Sequence, residues 1–272
     1  MERDFPQISW DAETEAQWRQ LVRLALAEDL GRRGDLTTLA LVAPDQQGQA
    51  VMAPRQAGVL AGLRGVPLLL QEVDPRLRWT AMVEDGQAVS AGQVVGRIEG
   101  PAQGILACER ILLNLVGRLS GIATLTRQYV EAVGGAGAAI YDTRKTTPGW
   151  RRLEKYAVRC GGGRNHRTGL FDAVLIKDNH LAFCRGRLSP AQAVHQARNY
   201  LQRIGRPDAL VEIEVDRLDQ LEEVLPAGPD VVLLDNMAPA ELRQAVSRRN
   251  ALNPQVALEA SGGVRLETVR QI

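Results

Sequence analysis

The chain has 272 residues, with 33 basic and 32 acidic side chains, and its formal net charge is +1 at pH 7. Its contents of 45% hydrophobic and 24% charged residues are those of an ordinary soluble globular protein with one large domain or two modest ones. The even charge balance excludes a general attraction to nucleic acid or to membrane surfaces, so any electrostatic function must come from local clusters.

The N-terminal residues and the cysteines indicate the cellular compartment. The first 30 residues are rich in acidic side chains and contain no apolar run of the kind found in signal sequences. Apolar runs elsewhere, such as residues 66–70, are too short to span a bilayer. The three cysteines are odd in number and widely spaced, which fits neither a disulfide framework nor a metal site. We therefore predict a cytoplasmic protein with no membrane partner.

The first half of the chain predicts a small α+β domain. Residues 18–30 have helical apolar spacing, and Gly31 is a plausible stop for that helix. Residues 49–100 alternate apolar and polar side chains between glycine turns, which predicts a small antiparallel sheet. A long helix is predicted from about Gln103 to Val133.

The second half alternates strands with helices. The candidate strands are residues 138–142, 172–177, 210–215, 231–235 and 256–261. Ser189-Pro190 begins one predicted helix, Asp216 caps another, and residues 239–250 form a third. Apolar strands that alternate with amphipathic helices indicate parallel strands with helical crossovers.

This order of elements predicts an α/β fold in which an α+β domain of about 110 residues is followed by a domain resembling an α/β barrel. Five strands are fewer than a closed eight-stranded barrel needs. The chain ends at Ile272, within a predicted helix. Either the barrel is incomplete, or strands have been missed, or the chain is shortened.

Polar side chains follow the ends of all five predicted strands. In chain order they are Thr143-Arg144-Lys145, Lys177 with Asp178-Asn179-His180, Glu214, Asp235 and Ser261-Gly262-Gly263. Active sites of barrel enzymes lie at the carboxyl ends of the strands. The repetition over five strands therefore predicts an active site at this edge.

Two of these features have a second interpretation. Glu212 shares a face of its strand with Glu214, so periodicity alone leaves open which of the two acids acts, and a strand-end ion pair is the structural alternative. Gly262 and Gly263 either form a tight turn or present free backbone N–H groups and a helix dipole to a phosphate. When the glycine pair is considered together with the basic cluster of residues 142–180, the phosphate interpretation is favoured.

The basic cluster lies in residues 142–180 and contains all three lysines of the chain, Lys145, Lys155 and Lys177. A solvated surface is the usual role of such a run, and a nucleic-acid patch is a second possibility. Aromatic residues are scarce, at 4%, and no recognition motif is present, so we predict no nucleic-acid partner. The third interpretation is a pocket for a small polyanion, in which Arg groups bind carboxylates and compact Lys groups bind phosphates. Lys155 lies within a predicted helix and is expected to be structural.

The assembled motifs resemble those of the quinolinate phosphoribosyltransferase family. The matching stretches are "EDLGRRGDLTT", "GVLAG", "ERILLNLVGRLSGIATLT", "DTRKTTPGWRRLEKYAVRCGGGRNHRTGL", "LIKDNH", "VEIEV", "LLDN" and "SGGV", which together span residues 28–264. The resemblance implies an N-terminal α/β sandwich domain over residues 1–112 and an open α/β barrel with parallel strands over residues 113–272, assembled as a homodimer. Members of the family usually continue beyond this point, with a further strand and a loop at the 5′-phosphate, so the resemblance implies either that the chain is short or that its phosphate site is incomplete.

The resemblance further implies an NAD-synthesis enzyme that joins quinolinate to phosphoribosyl pyrophosphate with Mg²⁺. The products would be nicotinate mononucleotide, pyrophosphate and CO₂. Around quinolinate it places Arg110, Thr143, Arg144, His166, Arg167 and Lys177. It places Lys145 at the pyrophosphate, Glu214 and Asp235 at the ribose and near the metal, and Ser261, Gly262 and Gly263 at the 5′-phosphate. It thus favours Glu214 over Glu212, and it implies that Arg110 acts in the partner subunit.

Three rival functions remain possible at this point. A paralogue of the molybdenum-transport-associated type would have the same scaffold and another substrate, although the intact basic motifs favour quinolinate. A non-catalytic binding protein would result if the C-terminal end is missing. A doubly wound phosphoribosyltransferase would need two adjacent acids before a Thr-Gly loop, and the sequence has no such motif.

Overall fold

The computed structural model describes residues 4–184 and 186–272, which divide into two compact units. We call Gln7–His166 the N-terminal unit, and Arg167–Ile272 together with residues 4–6 the C-terminal unit. Residues 112 and 113, the predicted domain boundary, lie within one long helix of the N-terminal unit, and the boundary stays a prediction. In the described ranges, none of the helices combines the length and the apolar character needed to cross a membrane.

The N-terminal unit consists of helices and two antiparallel sheets. In chain order its elements are α1 (Ala12–Leu30), α2 (Leu36–Leu41), β1 (Gln47–Met52), β2 (Gly58–Val59), α3 (Val66–Val73), β3 (Arg78–Ala81), β4 (Ala88–Val89), β5 (Gly96–Pro101), α4 (Ala102–Val133) and α5 (Arg151–Cys160). The strands pair antiparallel in the orders β1-β5-β3 and β2-β4, as predicted. Helix α4 also has the predicted extent. Helix α3 was not predicted, because its apolar residues lie within residues 49–100, where the alternation of apolar and polar side chains predicts a sheet.

Helix α1 begins six residues before the predicted start because Asp11 caps it. The Asp11 carboxylate accepts a hydrogen bond from Thr14 N–H at 2.9 Å and pairs with Arg152. Donation from Thr14 N–H, with a further contribution from Arg152, lowers the pKa of Asp11 to about 2. The helix ends at Gly31, as predicted, and the φ of 52° at this residue lies in the region that favours glycine.

The predicted strand at residues 138–142 is wrong. Only Tyr141 makes a β-bridge, to Arg164, and the neighbouring hydrogen bonds join Asp142 N–H to Arg164 O and Arg164 N–H to Ile140 O. Pairing does not extend further, because the partner segment leaves a turn at Gly161–Gly162 and has only Arg164 in register. The segment is nevertheless fixed at its end, immediately before Thr143.

The C-terminal unit repeats strand and helix. Its elements are β6 (Val174–Ile176), α6 (Asp178–Phe183), α7 (Pro190–Arg203), β7 (Val211–Val215), α8 (Leu218–Val224), β8 (Val231–Asp235), α9 (Pro239–Leu252) and β9 (Ala257–Ser261). The strands pair in parallel in the order β6-β7-β8-β9, with an apolar core that includes Ile213 and Val232. The predicted fold class, an α/β chain with a small N-terminal sheet domain before an open parallel barrel, is confirmed.

The helix ends of this unit agree with the sequence except at two points. Ser189 caps α7 and Pro190 is its first residue, as predicted. Arg217, and not Asp216, is the N-cap of α8, because the Asp216 N–H is itself bonded to the side chain of Gln220. The last residues form turns where a helix was predicted, with Val269 N–H donating to Arg265 O at 2.8 Å.

Candidate active site

An ion pair connects the carboxyl ends of β6 and β7. Lys177 directly follows β6, and its Nζ donates to Oε2 of Glu214 in β7. The Lys177 side chain is 38% exposed and that of Glu214 is 16% exposed, so both groups can be reached from solvent. The Lys177 backbone N–H donates to Nδ1 of His180 at 2.9 Å, which fixes the turn into α6.

The structure separates the two acids that periodicity left equivalent. Glu212 lies deeper in β7 and is 0% exposed, whereas Glu214 is one residue from the end of the strand and partly exposed. In the sheet, Glu214 lies beside Leu233 of β8, two residues before Asp235. Glu214 is therefore the acid of this strand that can meet a ligand from solvent.

Asp235 and Ser261 are neighbours at the ends of β8 and β9. The two residues are in register in the parallel sheet. Asp235 Oδ2 accepts a hydrogen bond from Asn236 Nδ2 at 2.9 Å, and Asn236 N–H donates to Ser261 O at 2.8 Å. Asn236 adopts a φ of 55°, so the chain turns sharply just after the carboxylate. The acid is thus fixed beside the glycine pair that follows Ser261.

Gly262 and Gly263 form a left-handed turn that requires glycine at its first position. Their φ angles are 89° and 64°, and a Cβ at Gly262 would lie 2.0 Å from Oδ1 of Asn236. Within the described part of the chain, no acceptor takes a hydrogen bond from either glycine N–H. A helix was predicted after this pair, but turns follow it, so a helix dipole does not contribute here. The free N–H groups alone make this turn suitable for an anion.

The predicted basic loop lies in the N-terminal unit, between the bridge at Tyr141 and α5. Thr143 is exposed, and its Oγ1 accepts a hydrogen bond from Lys145 N–H at 3.0 Å, which closes a tight turn. Lys145 is exposed and Arg144 is half-buried. Among the described residues, no acceptor lies within hydrogen-bond distance of the buried Nε of Arg144. The loop therefore carries two cations, of which Lys145 is exposed and Arg144 is half-buried.

A pair of residues that sequence reasoning missed holds this loop in place. Arg118 of α4 pairs with Glu154 of α5 and donates to Oγ1 of Thr147. Glu154 Oε2 also accepts from Thr147 N–H at 3.3 Å, and the Arg118 guanidinium lies 5.2 Å from the centre of the Trp150 ring. Arg118, Thr147, Glu154 and Lys145 line a cavity of about 730 Å³. An acid within an otherwise basic helix was the only sequence signal for this contact.

Three other predicted residues have different environments. His166 is buried at the end of the N-terminal unit, and Arg167 is buried at the start of the C-terminal unit, where its Nη1 donates to Ala173 O at 3.4 Å. Arg110 is exposed on α4. Lys155 is fully buried in α5, and its structural role stays a prediction.

Each unit therefore carries part of the predicted set. The N-terminal unit holds Arg110, Thr143, Arg144, Lys145 and His166, and the C-terminal unit holds Arg167, Lys177, Glu214, Asp235, Ser261, Gly262 and Gly263. In the C-terminal unit, a cation, two carboxylates and a glycine turn lie at adjoining ends of parallel strands. This arrangement, with charged side chains at the carboxyl ends of parallel strands, defines the class: an enzyme of the α/β-barrel type.

Comparison with known proteins identifies the family within this class. Residues 35–120 match the quinolinate phosphoribosyl transferase N-terminal domain, and residues 122–272 match the C-terminal domain of the same family. The chain belongs to the quinolinate phosphoribosyl transferase family.

Individual relatives agree with this assignment along most of the chain. The nicotinate-nucleotide pyrophosphorylase [carboxylating] of Mycobacterium leprae is 44% identical over 251 residues, which cover 92% of this chain and 86% of the relative. A probable enzyme of the same name from Bacillus subtilis is 38% identical, with coverages of 93% and 83%. The structure of the nicotinate-nucleotide pyrophosphorylase from Francisella tularensis superimposes with a TM-score of 0.88 at 35% identity and covers 98% of this chain and 90% of its own.

Proposed function

We propose that this protein transfers the phosphoribosyl group of phosphoribosyl pyrophosphate to quinolinate and releases CO₂. The products are nicotinate mononucleotide and pyrophosphate, so the reaction is a step of NAD synthesis. The observation that carries the proposal is the Lys177–Glu214 pair with Asp235 at adjoining strand ends, in a chain that matches this family along nearly its whole length.

Quinolinate carries two carboxylates, for which cationic side chains are the matching partners. The residues proposed to bind it are Arg110, Thr143, Arg144, His166, Arg167 and Lys177. Guanidinium groups form paired hydrogen bonds with carboxylates, and Arg144 is half-buried on the loop before α5. The Lys177 ammonium pairs with Glu214 at the ends of β6 and β7.

The acids and the phosphate-binding groups are assigned to phosphoribosyl pyrophosphate. Loss of pyrophosphate leaves positive charge on the ribose, and the carboxylates of Glu214 and Asp235 stabilise that charge. Lys145, exposed on its loop, is proposed to bind the pyrophosphate. The turn at Gly262–Gly263, with Ser261, is proposed to bind the 5′-phosphate through its free N–H groups.

Mg²⁺ is the proposed cofactor. Glu214 and Asp235 supply carboxylate oxygens, the ligands that this ion prefers, and both side chains are partly exposed at the strand ends. When bound with the substrate phosphates, the ion neutralises part of their charge. The residues of this chain bind the two anionic substrates and orient them in a site whose charged groups are preorganised.

Decarboxylation follows from the charge that the first step creates. Once the ring nitrogen of quinolinate carries the ribose, its positive charge withdraws electrons from the adjacent carbon, and the bond to the neighbouring carboxylate breaks. The electron pair remains on the ring carbon and then takes up a proton. No covalent nucleophile is needed, and binding with electrostatic stabilisation is sufficient.

A homodimer with shared sites is part of the proposal. Leu106, Leu113 and Leu125 are exposed on α4, on the same side as Arg110. A Cβ built at Gly117 or Gly121 would meet no described atom within 4 Å, so backbone could approach closely along this face. A second copy of the chain is the proposed occupant, and Arg110 would then act in the site of that copy.

Mixed dimers test this arrangement. Homodimers of Arg110→Ala and of Lys145→Ala should each be nearly inactive, because each loses a charged contact to substrate. Refolding the two variants together should restore about half of the wild-type activity per mixed dimer, since one of the two symmetry-related sites is then intact. If subunit exchange is confirmed by mass spectrometry and activity does not return, Arg110 does not act across the interface.

An assay of CO₂ release tests the reaction itself. Release should require both quinolinate and phosphoribosyl pyrophosphate, and nicotinate should not replace quinolinate, because it lacks the second carboxylate. A protein that binds quinolinate but releases no CO₂ would favour the non-catalytic alternative. The similarity to carboxylating pyrophosphorylases supports the quinolinate reaction over a paralogue with another substrate.

A cytoplasmic location is also proposed for the protein, because its three widely spaced cysteines fit no disulfide framework.

A further inference from the structure

A lysine with no exposure to solvent lies beside the predicted quinolinate-binding residues. Lys155 is in the middle of α5 and is 0% exposed. Its Nζ pairs with the carboxylate of Asp142 and donates to His166 O at 2.8 Å. A fully buried lysine is rare in folded proteins. A compact ammonium with three donors fits such a site, whereas the wider, planar guanidinium of Arg does not.

Asp142 is the centre of a buried hydrogen-bond network. Its Oδ1 also accepts from His166 N–H at 2.9 Å, and its Oδ2 accepts from Asn165 Nδ2 at 2.7 Å. Its backbone N–H donates to Arg164 O at 3.0 Å. Burial raises the pKa of Asp142, and the Lys155 ammonium opposes this shift. Both oxygens of the carboxylate are thus bonded to groups from two distant segments.

Asn165 connects the network to the N-terminus of the unit. Its side chain is fully buried, and its Nδ2 also donates to Lys155 O at 2.9 Å. Its Oδ1 accepts from Ile8 N–H at 2.7 Å. The Gln7 side chain accepts from Asn165 N–H at 2.8 Å and donates to Asn165 O at 3.1 Å. The segments around residues 142, 155 and 165 are therefore joined by side-chain hydrogen bonds.

Stability alone does not explain this network. A buried ion pair loses about as much in desolvation as it gains in attraction, and apolar residues of similar volume often replace one without loss. The network does determine geometry. Asp142 directly precedes Thr143-Arg144-Lys145, and His166 is itself bonded to both partners of the pair.

We propose that Lys155, acting through Asp142, is a positioning residue that fixes the Thr143–Lys145 segment relative to His166 for quinolinate binding. The ligand in this inference rests on the proposed function, but the connection between the two segments does not. If the pair is removed, the two segments can shift relative to each other. A misplacement of about 1 Å is sufficient to cost about 100-fold in a preorganised site.

Two variants and one control test the proposal. Lys155→Met leaves the Asp142 carboxylate buried without its cation and is expected to fold poorly. The double variant Lys155→Met/Asp142→Asn removes both charges and is expected to fold. Leu153→Ala is the matched control, because Leu153 is fully buried in the same helix and belongs to the apolar core.

Quinolinate affinity by calorimetry and amide hydrogen exchange without substrate are the two measurements. For the double variant we expect a Kd for quinolinate about 100-fold higher, and faster exchange at residues 142–146 and 164–166. Leu153→Ala should lower Tm and leave the Kd unchanged. A folded double variant with wild-type Kd and wild-type exchange would overturn the proposal, as would an equal loss of affinity in the control. If neither Lys155 variant folds, the pair serves stability and the positioning role is rejected.

The two measurements also separate this inference from the proposed function. If the wild-type protein binds no quinolinate but exchange rises in the double variant, the ligand is wrong and the connection between the segments stands. If the wild-type protein binds quinolinate, and the double variant has the same Kd and the same amide hydrogen exchange, the proposed function stands and the positioning role fails.

Discussion

The substitution Glu214→Gln tests the electrostatic part of the mechanism. The Glu214 carboxylate is 16% exposed at the end of its strand, so it acts in a partly desolvated environment. Two unit charges about 4 Å apart interact by about 4 kcal/mol at an effective dielectric constant of about 20. The ribose carries only part of a unit charge in the transition state, so we expect a loss of about 2.7 kcal/mol. This corresponds to a kcat about 100-fold lower.

The same substitution should not weaken quinolinate binding. Glu214 is bonded to Lys177, a proposed quinolinate-binding residue, and its removal leaves the ammonium without its acidic partner. The Kd for quinolinate should therefore stay the same or fall. The assay combines steady-state CO₂ release with calorimetric titration, and Glu223→Gln, an exposed acid on α8, is the matched control. A Kd more than 10-fold higher with normal kcat would refute this assignment of Glu214.

Three further predictions concern the strand ends and the first helix. Asp235→Asn should lower kcat by about 100-fold in the same assay, with the Kd for quinolinate unchanged. Gly262→Ala should raise the KM for phosphoribosyl pyrophosphate and cost at least about 1 kcal/mol of stability in urea unfolding. Gly262→Ala is costly because this residue has a φ of 89° and an added Cβ would overlap Asn236. Gly263→Ala should cost less stability, because a Cβ there would meet no described atom within 4 Å. The lowered pKa of Asp11, about 2, contributes stability that is fully present above about pH 4 and is lost as the pH falls toward 2. Asp11→Asn should accordingly lose less stability between pH 5 and pH 3 than wild type; an equal loss would exclude Asp11 as a source of the acid sensitivity.

The site residues were predictable where strand periodicity applied. Lys177 and Asp235 were expected at strand ends because the apolar runs 173–176 and 231–234 precede them, and Glu214 because it lies near the end of the predicted strand 210–215; the structure places them there. The choice of Glu214 over Glu212 needed more than periodicity. The two acids share a face of β7, and only the depth of each along the strand makes one accessible.

Other features depended on contacts that the sequence does not show. Residues 138–142 have the composition of a strand, but a strand requires a partner in register, and the bridge to Arg164 is limited to Tyr141. The Arg118–Glu154 pair joins residues 36 positions apart on two helices. Lys155 was expected to be structural, yet its contacts with Asp142 and His166 come from the fold alone.

The most direct test of the account uses quinolinate labelled at the carboxylate next to the ring nitrogen. The purified protein, supplied with Mg²⁺ and phosphoribosyl pyrophosphate, should release this label as CO₂ in a ratio of one to one with nicotinate mononucleotide and with pyrophosphate. Release should stop when phosphoribosyl pyrophosphate is omitted, because the ring nitrogen must first carry the ribose. Pyrophosphate formed without labelled CO₂, or label released without phosphoribosyl pyrophosphate, would contradict the proposed reaction.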